Sequence, residues 1–172
     1  MTIPTSGQFS LYDLKAELGM DGLNAGIAAN DLNNGWFRRL AGRGGDRSPI
    51  SFSDFRGKGC RYYGRPNVYD DGSGGARADL NSPLFDGQWL SIARVYIPQA
   101  HRYDTSATAT GSIAAGEHRN LYVLNVTTGI AHTLTWYNTT VDGVAVYGGV
   151  NVDANWLRVG AGDIILALPV LT

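Results

Sequence analysis

The three histidines, His101, His118 and His132, fall in separate segments, without the i, i+4 or His-x-His spacing that sets two imidazoles on one metal ion. A polar residue at a strand end is the plainer reading of each. Cys60 is the only cysteine, so neither an intrachain disulfide nor a zinc-finger-type site is available. Lys58 and Arg61 flank it, and on an exposed segment their charge would lower its thiol pKa. An intermolecular disulfide is then the sharper of its two roles, an inert structural thiol the plainer. Asp70, Asp71, Asp79 and Asn81 carry oxygens that calcium favours, but they do not follow the EF-hand spacing and no Glu closes the set, which suits a solvated loop better. No Gly-x-Ser-x-Gly elbow, phosphate-binding loop or Rossmann fingerprint occurs. With Glu17 and Glu117 the only glutamates, a carboxylate pair for glycoside hydrolysis is poorly supplied. The expectation is a protein that is not an enzyme and uses no metal and no cofactor.

Aromatic residues offer a different chemistry. Trp89, Trp136 and Trp156, with Tyr137 and Tyr147, have the flat faces that stack on sugars, and they would form the platform of a glycan- or receptor-binding module. The same side chains are what a β-sheet core or a subunit interface buries, because each removes a large area from water. Core or interface is the favoured reading. Asn125-Val126-Thr127 and Asn138-Thr139-Thr140 match glycosylation acceptors, a short pattern that carries no functional weight here.

The elements that must position these residues follow from composition and period. The 172 residues carry a formal net charge of -1, so no field marks the chain for nucleic acid or a membrane surface. No apolar run reaches the roughly 20 residues of a membrane span, and Met1-Thr2-Ile3-Pro4-Thr5 lacks the pattern of a signal peptide. A protein made in the cytoplasm is expected. With 23 glycines, turns outnumber helix formers.

Helix punctuation is confined to the first third. Ser10 and Asp13 form a capping-box pair ahead of a helix from about Leu11 to Leu18, whose apolar face is Leu11, Leu14 and Leu18 and whose stop is Gly19. A second helix is expected from Asn30 or Asp31 through Trp36, Phe37 and Leu40 to Gly42, with Gly35 weakening it. Ser51-Phe52-Ser53-Asp54-Phe55-Arg56-Gly57 repeats the grammar of the first helix, with Ser51 as cap, Asp54 as its partner and Gly57 as stop.

Three stretches carry a resemblance: Ser6-Gly7-Gln8-Phe9-Ser10-Leu11-Tyr12-Asp13-Leu14, Phe37-Arg38-Arg39-Leu40-Ala41-Gly42, and Ile50-Ser51-Phe52-Ser53-Asp54-Phe55-Arg56-Gly57-Lys58. Their order and closing box resemble the N-terminal module of tail- and fibre-type virion proteins of tailed bacteriophages. The resemblance covers about residues 1–59 and departs from the family at the charged loop Arg43-Gly44-Gly45-Asp46-Arg47-Ser48-Pro49. It implies a structural component of the virion, in the tail, neck (collar) or baseplate region, whose partners are other virion proteins and copies of itself. Leu11, Leu14, Trp36, Phe37, Leu40, Phe52 and Phe55 are then the docking residues, on faces too small to bury themselves without a partner or the rest of the chain.

From Gln88 the period changes to two, with Trp89, Ser91, Ala93, Val95 and Ile97 alternating against Leu90, Ile92, Arg94, Tyr96 and Pro98. Further strands are expected at 121–126, 133–137, 144–147, 156–159 and 164–168, with reversals at Thr128-Gly129, Asp142-Gly143 and 160–163. The expected fold is mainly β: an antiparallel, jelly-roll-like sandwich over 88–172, preceded by a helical docking segment over 1–59 and a turn-rich connection over 60–87. Residues from about Tyr62 to Thr172 are expected to fold without the helices.

Overall fold

A computed structural model describes residues 3–27, 32, 34–43, 48–80, 89–110, 120–140 and 142–171, with the backbone alone for Trp89, Ala109, Thr110 and Thr139. Nine strands run through it: β1 (Tyr62–Gly64), β2 (Val68–Asp70), β3 (Ala76–Leu80), β4 (Trp89–Ile97), β5 (Arg102–Thr110), β6 (Asn120–Asn125), β7 (Ile130–Thr139), β8 (Ala145–Val152) and β9 (Ile165–Val170). The chain is mainly β and every pairing is antiparallel. In place of the two packed sheets of a sandwich there is one sheet, in the order β1-β9-β6-β7-β8-β5-β4-β3-β2, curled as a half-barrel. Strands β2 to β5 form a meander. Strands β6 to β9 have the spatial order of a Greek key, the last lying beside the first.

The curl follows from connectivity. The two edge strands, β1 and β2, are consecutive in the chain and joined by only Arg65, Pro66 and Asn67. Four residue steps span at most about 14 Å, so the edges of a nine-stranded sheet must be drawn toward one another. The segment between β8 and β9 bridges the remaining gap: the Gly160 N–H donates to the Val68 carbonyl at 3.1 Å, and Arg65 donates to the Gly162 carbonyl. Pairing on the inner face sets Leu121 opposite Leu134 and Ala107 opposite Tyr147. That face holds the larger core, including Leu80, Leu90, Ile92, Val123, Leu134, Tyr147 and Ile165.

Three expectations about the strands change. The segment 60–87 contains β1, β2 and β3 beside its exposed turn. Residues 102–110 form β5, which small and polar side chains had concealed. Residues 156–159 are not a strand: Asp153 caps a turn, its carbonyl accepting from Trp156 N–H at 3.2 Å and its Oδ1 from Asn155 N–H at 2.7 Å, and Trp156 and Leu157 drop into the core. The expected reversals hold, with Gly129 and Gly143 both at φ +75.

The N-terminal part forms a cap on the opposite face of the sheet. It contains helices α1 (Leu11–Glu17) and α2 (Gly35–Leu40) and a 3-10 turn at Phe52–Phe55. Asn34 caps α2, so that helix is shorter than expected; residues 28–31 lie outside the described ones. The cap's core joins Ile3, Leu14, Leu18, Phe37, Leu40 and Phe55 to Leu168 and Leu171 at the end of the sheet. Each fully buried Leu or Phe contributes about 1.5–3 kcal/mol, against a few tenths per residue from helix propensity. Packing therefore holds the seven-residue α1 in place. Among the described residues no helix is long and apolar enough to cross a membrane.

Candidate interaction surface

The cap is built from two copies of one local device. Ser10 precedes α1, and its backbone N–H donates to Asp13 Oδ2 at 2.6 Å while Asp13 N–H reaches back to the Ser10 hydroxyl at 3.4 Å. Ser51 precedes the 3-10 turn, and its N–H and hydroxyl donate to Asp54 Oδ2 at 2.7 and 3.1 Å. The Ser10 hydroxyl and backbone hydrogen bonds hold the Asp13 carboxyl below its ordinary range, and the Ser51 backbone N–H, aided by the hydroxyl, does the same for Asp54. One residue beyond each acid, Leu14 and Phe55 are fully buried, and the residues before each serine, Phe9 and Ile50, pack against the same core. This is the hydrophobic-staple arrangement at both starts.

Packing the two devices side by side brings Phe9 against Phe52, with ring centroids 5.5 Å apart, and Arg56 over the Phe9 ring at 5.6 Å. Phe52 is 41% exposed and Tyr12 is 67% exposed, so both devices show an aromatic residue to solvent. Phe52 is among the docking residues expected from the sequence, whereas Tyr12, Phe9 and Arg56 are not. The available signal was the helical wheel, since Tyr12 lies off the Leu11, Leu14 and Leu18 stripe.

The other residues expected to dock are placed differently. Leu14, Phe37, Leu40 and Phe55 are fully buried, Trp36 is nearly so beneath Arg39 at 4.6 Å, and Leu11 is half-buried. They cover one another and the sheet, which answers the question of what buries them. Cys60 is also interior: its thiol donates to the Glu17 carbonyl at 2.9 Å, and burial pushes its pKa well up, opposite to the shift expected of an exposed segment. A disulfide to another chain would require that segment to leave the core.

Of the tryptophans expected to form a platform, the two with described side chains are not exposed. Trp156 is fully buried, with His132 edge-on at 5.7 Å, and Trp136 is half-buried against the inner core; the Trp89 side chain lies outside the described residues. Tyr147 is buried, its hydroxyl pKa pushed up to about 12, whereas Tyr137 is 78% exposed. His101 sits exposed in a left-handed turn at φ 48, and His118 lies outside the described residues. His132 is held below the ordinary histidine range by burial, and His132 Nε2 and Trp156 Nε1 are buried without hydrogen-bond partners.

Asp70 and Asp71 are spent on their own turn, accepting from Gly72, Ser73 and Gly75 N–H groups, and Asp79 accepts from the Tyr69 hydroxyl; Asn81 lies outside the described residues. Among the described residues no group of three or more His, Cys, Asp or Glu is placed to hold a metal ion. The chain matches no family model, no curated protein and no solved structure.

Buried polar contacts tie the cap to the sheet. Glu17 Oε1 accepts from the Cys60 and Arg61 N–H groups at 2.9 and 3.3 Å, immediately before β1. Asn24 donates to the Leu18 and Pro169 carbonyls at 2.8 and 3.1 Å and accepts from Leu171 N–H at 3.0 Å. What the arrangement offers chemically is an aromatic and cationic surface on a cap that buried hydrogen bonds join to the sheet.

Proposed function

We propose that the chain is a structural component of a bacteriophage virion, in the tail, neck or baseplate region, which acts through protein–protein assembly and is not a catalyst. The observation that supports this reading is the convergence of the three virion-like stretches, 6–14, 37–42 and 50–58, in one cap whose outward residues are Tyr12, Phe52 and Arg56, with Phe9 partly buried beneath Phe52 and Arg56. Large amphipathic aromatics beside arginine are the side chains enriched at protein interfaces. On this reading the buried docking residues fix the shape of the cap, while the outward aromatics make the contact.

Purified particles of the parent phage, washed in high salt and probed with an antibody against the chain, test the proposal. The expected result is labelling at one defined location in a fixed copy number. Presence in infected-cell extracts with absence from washed particles would overturn it.

A further inference from the structure

The segment between β8 and β9 is fastened unevenly. From Gly160 onward it is tied to the sheet: Gly160 N–H reaches the Val68 carbonyl, and Asp163 accepts from Arg158 at 2.5 and 2.9 Å and from Asn125 Nδ2 at 2.7 Å. Upstream, residues 153–157 form a turn that puts Trp156 and Leu157, both fully buried, against the inner face as a plug. Asn125 Nδ2 holds the plug there by donating to the Trp156 carbonyl at 2.9 Å.

His132 of β7 meets this plug. Its ring lies at 81° to that of Trp156 with centroids 5.7 Å apart, and its Nε2 is buried without a hydrogen-bond partner, as is Trp156 Nε1. In a neutral imidazole that leaves a single uncharged polar atom unpaired. Protonation puts an N–H on both ring nitrogens, so Nε2 becomes a donor on a charged ring, out of water and without an acceptor. The facing side of β6 supplies none: Val123 stands opposite His132, and Asn125 Oδ1 already accepts from the Thr127 and Thr128 N–H groups. Tyr147 of β8, in the same core, stays neutral, and Arg158 and Asp163 are paired with one another. Asp153, at the exposed start of the plug, is the charge that acts on His132, and it favours the protonated form.

We propose that His132 is an acid-sensitive latch: its protonation releases the plug, residues 153–157, from the inner face of the sheet, while the anchor from Gly160 to Ile164 stays closed. Burial holds His132 below the ordinary histidine range despite the Asp153 charge, so the closed plug takes up the proton less readily than the open one. Closure is therefore fully favoured above the ordinary range and is lost as pH falls through the lowered value. The anchor does not follow, because the Arg158 hydrogen bonds hold the Asp163 carboxyl below the usual carboxylate range. The latch is independent of the cap's outward aromatics.

Hydrogen exchange of the full-length chain tests this, read by mass spectrometry over residues 153–157 and by NMR at the Trp156 indole, and corrected for the intrinsic pH dependence of exchange. Between about pH 7.5 and about pH 5 the opening of the plug should rise by at least about threefold, the ceiling for one proton being about tenfold per pH unit. Residues 160–164 should keep their protection. His132→Phe, which leaves a ring against Trp156, and His132→Gln, which leaves a neutral polar side chain, should both abolish the rise. Opening that is constant or falls on acidification, as it would if the indole face held the imidazolium, would overturn the latch. So would a rise that survives both substitutions or that extends equally to residues 160–164.

Discussion

Phe9 and Phe52 meet ring against ring at 5.5 Å although one precedes α1 and the other opens the 3-10 turn. The contact sets two Ser-x-x-Asp devices side by side, and it divides the aromatic residues of the cap into those that build it and those that face out from it.

Phe55 and Phe52 should therefore respond differently to truncation. Phe55 is fully buried and packs edge-on against Phe37 at 6.3 Å, so Phe55→Ala should destabilise the chain by about 3–5 kcal/mol. Phe52→Ala, at a half-exposed position, should change stability by no more than about 1 kcal/mol. Urea melts of the two variants make the comparison, and similar losses would mean that Phe52 is part of the core.

Glu17 supplies a pH dependence. Burial raises its pKa above the ordinary range, opposed by the N–H groups of Cys60 and Arg61 and by the Arg61 charge. A carboxyl whose folded pKa exceeds its unfolded pKa contributes stability fully present below the unfolded value and lost as pH rises through the folded one. Melting temperature should thus fall as pH climbs out of the ordinary glutamate range, over and above other groups. Glu17→Gln, which keeps an acceptor for the two N–H groups, should flatten that part of the profile. A profile unchanged by the substitution would show that Glu17 does not titrate across that window.

The shared core of cap and sheet bears on truncation. Leu168 and Leu171 pack with the helices, and Asn24 holds the backbone at Pro169 and Leu171. A fragment from Tyr62 onward loses that cover, so it should melt below the full-length chain and bind a hydrophobic dye that the full chain does not. Equal melting temperatures would restore the expectation that the two parts fold independently.

Much of this fold was legible in local rules. The Ser10–Asp13 and Ser51–Asp54 pairs, the glycine stop at Gly19 and the glycine reversals at Gly129 and Gly143 are set by neighbours within a few residues, and they stand where the spacing placed them. Long-range facts were not legible. Strand β5 reads as polar because Thr105 and Ala107 need little apolar character when β4 and β8 flank them on both sides. Trp156-Leu157 reads as a strand because an apolar pair gives no sign of whether it pairs along an edge or plugs a curled sheet. The site suffered in the same way: periodicity named the apolar faces, but whether a face meets solvent or Leu168 depends on where β9 ends.

On the proposed function, the outward aromatics of the cap mount the protein on a particle. The direct measurement is complementation of a phage lacking the chain with the doubly substituted Tyr12→Asp, Phe52→Asp protein, followed by quantification of the chain in washed particles. The expected variant keeps a near-native melting temperature and is depleted from particles by at least about tenfold relative to the unsubstituted chain, a loss of about 1.4 kcal/mol or more in binding. Incorporation of a well-folded variant at the unsubstituted level would contradict it.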